Sequence, residues 1–237
     1  MFNPKLYVKN SSLYSKMKFM LGKVDFGKVW QEKPLDWYYD LWNKLPLLHK
    51  NFQEYFQERT YDIKTVLDLG CGAAYYPFKF PEMFKGKKYV GTDISEPVIE
   101  YCKKNSLFDF FAGDFLKMDL KNEFLKRNLP TKYDLVYAHG VIDCVYDIEL
   151  FLNVLLKCCK KFAYIHSCRG HYPELEHHNM NWRDEDGCYY NDISVKQVRR
   201  FLLNYGVAVD EFIIRPQPTG FGGNVHTIIE ITKKSQD

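Results

Sequence analysis

No stretch of the chain reaches the ~18 consecutive apolar residues that a membrane-spanning helix needs. The opening MFNPKLYVKN also lacks the apolar core of a secretory signal. The expectation is therefore a cytoplasmic protein without a membrane partner. Cysteine occurs in an odd number, seven, with no repeated C-x-x-C pair. Neither a disulfide framework nor a paired-thiolate zinc motif follows, and reduced thiols are expected. Charge of one sign is missing too: 33 Lys and Arg face 30 Asp and Glu, a net +3 over 237 residues. Such a balance leaves no electrostatic footprint for nucleic acid. Low-complexity and repeated segments are absent, while 46% hydrophobic and 17% aromatic residues suffice to bury a core.

What is present changes character along the chain. Residues 1–20 are basic and mixed, read as a partly ordered arm with room for a short helix at its end. Gly22 and Gly27 mark a loop. Pro34 precedes an aromatic run in which Trp37 and Leu41, with Tyr38 and Trp42 beside them, fall on one helical face. Pro46 interrupts it, and a second helix is expected over 47–58. Residues 1–60 thus form a helical cap, and 61–237 a second unit in which strands and helices alternate. Strands are expected at 65–69, 88–93, 108–112, 133–138 and 161–166. Helices are expected at 73–84, 96–104 (capped by Ser95), 121–126 and 148–160. This alternation predicts a parallel sheet covered on both faces.

The last third differs. Residues 167–190 are polar and without periodicity, a length unusual for a loop without a function, and are expected to form a lid insertion. Asp192 or Ser194 then caps a helix that Gly206 closes. Strands over 207–214 and 225–232 flank a turn-rich tip containing Pro216, Pro218, Gly220, Gly222 and Gly223.

A glycine turn directly after a buried strand lets main chain approach a ligand where a side chain would collide. Gly70 and Gly72 form one after the first strand, with the Asp68 carboxylate beside it; alone, the pair is also compatible with a plain tight strand-to-helix connection. Further strand ends add to it. Asp93 closes the second strand about twenty residues past Gly72, where a carboxylate accepts both hydroxyls of a ribose. Asp114 closes the third and can accept from an exocyclic amine, with Phe115 able to cover a purine face. The fourth ends at Ala138-His139-Gly140. Ligands of open α/β sheets bind at this edge. A nicotinamide dinucleotide turn needs a third glycine where Tyr75 stands, and no GxxxxGK[ST] phosphate loop is present.

Val66-Leu67-Asp68-Leu69-Gly70-Cys71-Gly72-Ala73-Ala74, Gly91-Thr92-Asp93-Ile94-Ser95, Ala112-Gly113-Asp114 and Tyr133-Asp134-Leu135-Val136 together resemble the ordered signature of the class I S-adenosylmethionine-dependent methyltransferases. The resemblance covers roughly 64–166 and, more weakly, the terminal hairpin. It implies a Rossmann-like α/β fold: a seven-stranded sheet in the order 3-2-1-4-5-7-6, its last strand antiparallel, here under the N-terminal helical cap. It implies S-adenosylmethionine as cofactor, with Gly70 and Gly72 against the methionine part and Asp68 near its ammonium. Asp93 then lies at the ribose and Asp114 and Phe115 at the adenine, with Ile94 among the cofactor contacts and His139 at the strand end beside them. One departure is Ala74, where many members carry a third glycine.

For the methyl acceptor, candidates lie past the fourth and fifth strands: His139, Asp143, Cys144, His166 and His171. His139 is expected as general base or as a helix-capping or loop-packing group, and Asp143 as a second catalytic residue, a group that orients an amine, or a cap for the helix after Tyr146. Tyr38, Tyr39, His166, Arg169, His171 and Arg183 are expected to face substrate, the arginines through a carboxylate or phosphate. Cys168, His171, His177 and His178 have no recognised metal spacing, and Asp184, Glu185 and Asp186 no calcium-loop alternation, so no metal is expected. The (Asp/Asn/Ser)-Pro-Pro-(Tyr/Phe) segment of base-methylating members is missing after the fourth strand. A small molecule methylated on a hydroxyl or amine, sugar-like in character, is the leading acceptor. A protein or peptide acceptor, or a non-catalytic cofactor-binding partner subunit, are the alternatives. Monomer and homodimer are both open.

Overall fold

A computed structural model describes residues 26–234. The arm read over 1–20 lies outside them, as does the start of the expected cap.

Three helices come first: α1 (Lys28–Glu32), α2 (Leu35–Asn43) and α3 (Pro46–Glu58). The first stands where the sequence reading had only a loop at Gly27, which takes a left-handed conformation at its N-cap. Pro34 and Pro46 sit at the starts of α2 and α3, where a missing N–H is harmless. On α3, Leu48, Phe52, Tyr55 and Phe56 recur at helical spacing and are all buried. Of the aromatic run on α2, Tyr38 is buried whereas Leu41 stays exposed.

The sheet strands are β1 (Thr65–Leu69), β2 (Lys88–Asp93), β3 (Asp109–Ala112), β4 (Tyr133–His139) and β5 (Cys159–Ser167), all parallel. A small hairpin, β6 (Trp182–Arg183) and β7 (Cys188–Tyr189), stands apart from them. β8 (Phe212–Pro218) and β9 (Val225–Thr232) complete the sheet, β9 lying antiparallel between β5 and β8. The order β3-β2-β1-β4-β5-β9-β8 is the expected 3-2-1-4-5-7-6 once the strands of this sheet alone are counted. Helices α4 (Tyr75–Lys79), α5 (Glu96–Asn105), α6 (Leu120–Lys126), α7 (Ile148–Cys158) and α8 (Val195–Tyr205) connect the strands.

Side-chain alternation along the strands feeds two cores. Leu67, Leu69, Val136 and Ala138 pack with Phe151, Leu152 and Leu155 of α7 on one face. Val66, Leu135 and Tyr137 pack with Phe52 and Phe56 of α3 on the other. The N-terminal helices are therefore continuous with the sheet's second core.

Several local readings change. The helix expected over 73–84 is only α4, followed by a 3-10 turn at Pro81–Phe84; Pro81 cannot continue the ladder. Ala74 takes a left-handed φ of 51° at the N-cap of α4, so the alanine that departs from the family pattern holds the conformation a glycine favours. Ser95 stands at the N-cap of α5 without a capping bond, whereas the Ser194 side chain does cap α8. The strand expected at 207–214 is displaced to Phe212–Pro218, taking in two prolines assigned to the turn. β8 is the sheet edge, where a proline with its ring toward solvent removes no ladder bond. Among the described residues no helix is long and apolar enough to cross a membrane.

Gly70 and Gly86 share a left-handed backbone, φ 73° and 70°, but a Cβ on Gly70 would collide with the Val141 side chain, whereas one on Gly86 would meet nothing within 4 Å. Gly86→Ala should cost about 1–2 kcal/mol of backbone strain. Gly70→Ala should cost that plus about 1–3 kcal/mol of overpacking. Urea unfolding of the two variants measures the difference, and adding Val141→Ala to Gly70→Ala should recover part of it; equal losses at both glycines would mean that the contact with Val141 is immaterial.

Candidate active site

The carboxyl ends of β1, β2, β3 and β4 open on one cavity of about 460 Å³. The glycine turn forms because Gly70 and Cys71 both donate to the Thr92 carbonyl, at 2.7 and 3.0 Å, which folds the chain back over the end of β2. Asp93 then fixes the turn: its Oδ2 accepts from the Gly72 N–H and its Oδ1 from the Ser95 N–H, both at 2.9 Å. Burial pushes the Asp93 carboxyl up, against the lowering effect of these amides. A Cβ on Gly72 would sit 3.1 Å from the Tyr38 ring, so α2 rests directly on the turn.

Asp68 and Asp114 flank Asp93 at the neighbouring strand ends. Asp68 is buried and accepts from the Tyr89 hydroxyl at 2.7 Å. Burial pushes its carboxyl up to about 7. Asp114 accepts from the Leu116 N–H at 3.0 Å and lies beside the Tyr146 hydroxyl, and partial burial raises its carboxyl as well. Ile94 and Phe115 add apolar surface between these acids, and both line the cavity.

Beyond the glycine turn the walls become aromatic. His139 ends β4 among the rings of Trp42, Phe52, Tyr76 and Tyr164. Neither of its ring nitrogens has a hydrogen-bond partner among the described residues. Burial moves its pKa well below 6.5, so the ring is a neutral imidazole. Arg169 reaches the cavity from the segment after β5, its guanidinium 5.1 Å from the Tyr190 ring.

The structure thus brings together Asp68, Gly70, Gly72, Asp93, Ile94, Asp114, Phe115 and His139, with Tyr38 and Arg169 from the substrate set. Other expected residues fall outside the cavity wall. The Asp143 carboxylate accepts from the Ser167 hydroxyl and from the Cys168 N–H at 2.8 Å. It is a fully buried tether between the segments that follow β4 and β5, while the helix cap it was weighed for is Asp147. His166 lies behind the wall, within 2.8 Å of His226. His171 meets the Thr227 hydroxyl at 3.0 Å, the Tyr39 hydroxyl donates to the Ala73 carbonyl at 3.3 Å, and Arg183 stacks on Tyr190 beside Asp186. Among the described residues no group of three His, Cys, Asp or Glu is arranged to hold a metal ion.

The expected lid is more ordered than a polar loop. It carries the β6–β7 hairpin, bridges Tyr172 to Ser194 and Asn179 to Asp192, and sends Cys168, Arg169 and Tyr190 to the cavity. Its turn receives the Gly27 and Val29 amides at the Gly187 and Asp186 carbonyls, 2.8 and 3.1 Å. Sequence reasoning missed Tyr190, Phe221, Asn224 and His226 as cavity residues; they belong to segments whose strand register could not be read from periodicity.

The profile of a family described as a methyltransferase domain matches residues 62–206, more than half of the chain. The chain belongs to this family. It is a class I S-adenosylmethionine-dependent methyltransferase. No curated protein sequence matches it. Among solved structures, the methyltransferase resembles the plantazolicin methyltransferase BpumL in complex with SAH, with 14% identity, a TM-score of 0.61, and 94% of this chain and 100% of that one covered. It also resembles the magnesium protoporphyrin IX methyltransferase ChlM from Synechocystis PCC 6803 with bound SAM, at 13% identity, TM-score 0.54 and 99% of each chain. A third is the N-terminal domain of EvdMO1 in the presence of SAH and D-fucose, at 12% identity, TM-score 0.57, and 78% and 82% of the two chains. At these identities the likeness is one of fold. The residues of the methyltransferase's own cavity fit the family's cofactor: a main-chain cradle at Gly70 and Gly72, and carboxylates at three successive strand ends.

The raised pKa of Asp68 has a thermodynamic sign. Between about pH 4 and pH 7 the folded protein holds a proton that the unfolded chain has released. Stability from this group therefore falls as pH rises through that window, with no penalty below it and the full penalty above. Asp68→Asn does not titrate. Its stability relative to the parent should improve from about pH 4 to 7 and then level off, as read by urea unfolding at each pH. A pH-independent difference would show an ordinary carboxylate at this position.

Proposed function

We propose that this methyltransferase transfers a methyl group to a hydroxyl or amine of a small molecule held beneath α1, α2 and the tip of the β8–β9 hairpin. The observation that carries the reading is a single cavity that joins the glycine turn and strand-end acids to a lobe walled by Trp42, Tyr75 and Leu45. Its volume of about 460 Å³ lies in the range of small-molecule sites. Neighbours named for plantazolicin and for magnesium protoporphyrin IX, and one crystallised with D-fucose, support a small-molecule acceptor.

S-adenosylmethionine, when bound, supplies a methyl group on a cationic sulfur. The chain's residues then divide the work. Gly70 and Gly72 present main chain to the methionine part, and Asp68 meets its ammonium with a carboxylate. The lone pairs that Asp93 does not spend on Gly72 and Ser95 accept the ribose hydroxyls. Asp114 takes the adenine amine, with Phe115 and Ile94 against the ring. His139 sets its neutral ring at the junction of the two lobes, and the aromatic walls exclude water there. Alignment of nucleophile and methyl is the main catalytic task of such a site. The broad aromatic faces of Trp42, Tyr75 and Phe221 favour an acceptor that presents an apolar face to the lobe.

Asp93→Ala should weaken S-adenosylmethionine binding by about 2–4 kcal/mol, since two charge-assisted hydrogen bonds are lost and the turn loses its anchor. Titration calorimetry on the folded variant checks this; affinity within twofold of the parent removes Asp93 from the ribose. The segment 167–190 is proposed as one half of a cover whose other half is α1. Limited proteolysis there should slow when S-adenosylhomocysteine is added. Equal cutting rates with and without it would mark a static surface segment.

A further inference from the structure

The tip of the β8–β9 hairpin, which the sequence offered only as a turn, is folded back onto the cavity. The Thr219 hydroxyl accepts from the Phe221 N–H at 3.1 Å, and the Thr219 N–H donates to the Asn224 carbonyl at 3.1 Å. Gly220 lies so close to α3 that a Cβ there would be 3.0 Å from the Leu47 side chain. The tip is thereby fixed, and Phe221, Asn224 and, at the start of β9, His226 line the cavity opposite the glycine turn.

His226 is held from behind. Its Nδ1 is 2.8 Å from Nε2 of His166, a fully buried residue that register places beside His139 across β4 and β5. The remaining nitrogen of His226, Nε2, is the one open to a ligand in the cavity. The other nitrogen of His166, Nδ1, has no partner among the described residues. An imidazole backed by a second imidazole can pass part of a proton's charge along the pair, whereas His139 has only aromatic rings around it. The lobe contains no carboxylate: the acids of the cavity wall are Asp68, Asp93 and Asp114, all at the ends of β1 to β3 or just beyond. No carboxylate there can pair with an ammonium ion or take the acceptor's proton in place of an imidazole. The walls are flat and apolar, with Trp42, Tyr75 and Phe221 among them.

We propose that the acceptor is a flat aromatic hydroxyl, and that His226, positioned by His166, takes its proton. The inference rests on the small-molecule methyl-transfer reading above. In the step, the acceptor O–H bond breaks and its proton moves to the lone pair on Nε2 of His226. The oxygen forms the bond to the methyl carbon, the S–CH₃ bond breaks, and its electron pair stays on sulfur. His226 must then carry its own proton on Nδ1 and donate it to Nε2 of His166, so His166 is a positioning residue that selects the tautomer. The proton leaves to water once the product departs.

The test uses 2-naphthol as the probe, with methyl α-D-glucopyranoside and 2-naphthylamine for comparison, on the full chain. Calorimetry should show 2-naphthol binding to the protein loaded with S-adenosylhomocysteine, and no binding of the glucoside. With S-adenosylmethionine, His226→Asn should lower kcat for 2-naphthol by about 10²–10⁴ with KM within threefold. His166→Leu should lose as much, and His166→Gln, whose carbonyl can still accept from His226, should return to within about tenfold of the parent. Failure of 2-naphthol to bind, or preferred methylation of the glucoside or the amine, overturns the acceptor class. A His226→Asn rate within threefold of the parent, or equal losses in His166→Leu and His166→Gln, overturns the histidine assignment. Failure of the parent to bind S-adenosylhomocysteine at all would instead sink the methyl-transfer reading itself.

Discussion

The two oxygens of the Asp93 carboxylate accept from the Gly72 and Ser95 amides, and this bridge joins the turn after β1 to the turn before α5. Both turns lie at the ligand edge of the sheet, and neither has a hydrophobic core of its own to define it. A carboxylate taken out of water is costly unless its lone pairs are used, so the bridge is also what makes a buried acid tolerable at this position. With Gly72 so placed, the Tyr38 ring can lie against it, and through Tyr38 the whole of α2 takes its seat over the cavity. Cofactor cradle and acceptor roof are therefore positioned by the same carboxylate.

This dependence explains what could be read from the sequence. Gly70, Gly72, Asp93 and Asp114 were legible because each sits at the end of a short apolar strand, and the period of a parallel α/β sheet turns linear spacing into a common edge. The strand order followed from the resemblance these same residues carry. Asp143 and His171 also stand after strand ends, yet their side chains turn away from the cavity to Ser167 and Thr227, and Arg183, the last residue of β6, meets the cavity only through the Tyr190 ring on which it stacks. Position after a strand gives the place of the main chain but not the direction of the side chain, which in an irregular segment depends on which partners come within reach. Phe221, Asn224 and His226 were illegible for a further reason. The prolines at 216 and 218 suggested that the strand ended early, but on an edge strand they do not end it, so the hairpin tip was mislocated.

The acceptor lobe has an electrostatic character opposite to that of the cofactor side. Three carboxylates surround the place where a cationic cofactor belongs, while the lobe beyond holds imidazoles that burial keeps neutral in the resting site, leaving their ring lone pairs available. In surroundings of low polarity, opposite charge and dipole effects act over longer distances than in water. A neutral nucleophile moving toward a cationic centre disperses charge instead of creating it, and an apolar, carboxylate-free lobe does not oppose that change.

The amides of Gly27 and Val29 donate to carbonyls at Gly187 and Asp186, joining segments far apart in the chain. Main-chain bonds of this kind ask little of the side chains at Val29 and Asp186, but Gly27 and Gly187 hold left-handed backbone, and a Cβ on Gly27 would lie 2.9 Å from Ile94, so the seam depends on its glycines. The bonds also form a natural clock. Each amide exchanges its hydrogen with solvent only while the seam is parted, so the exchange rates at these two residues report how often the cavity is open to the outside.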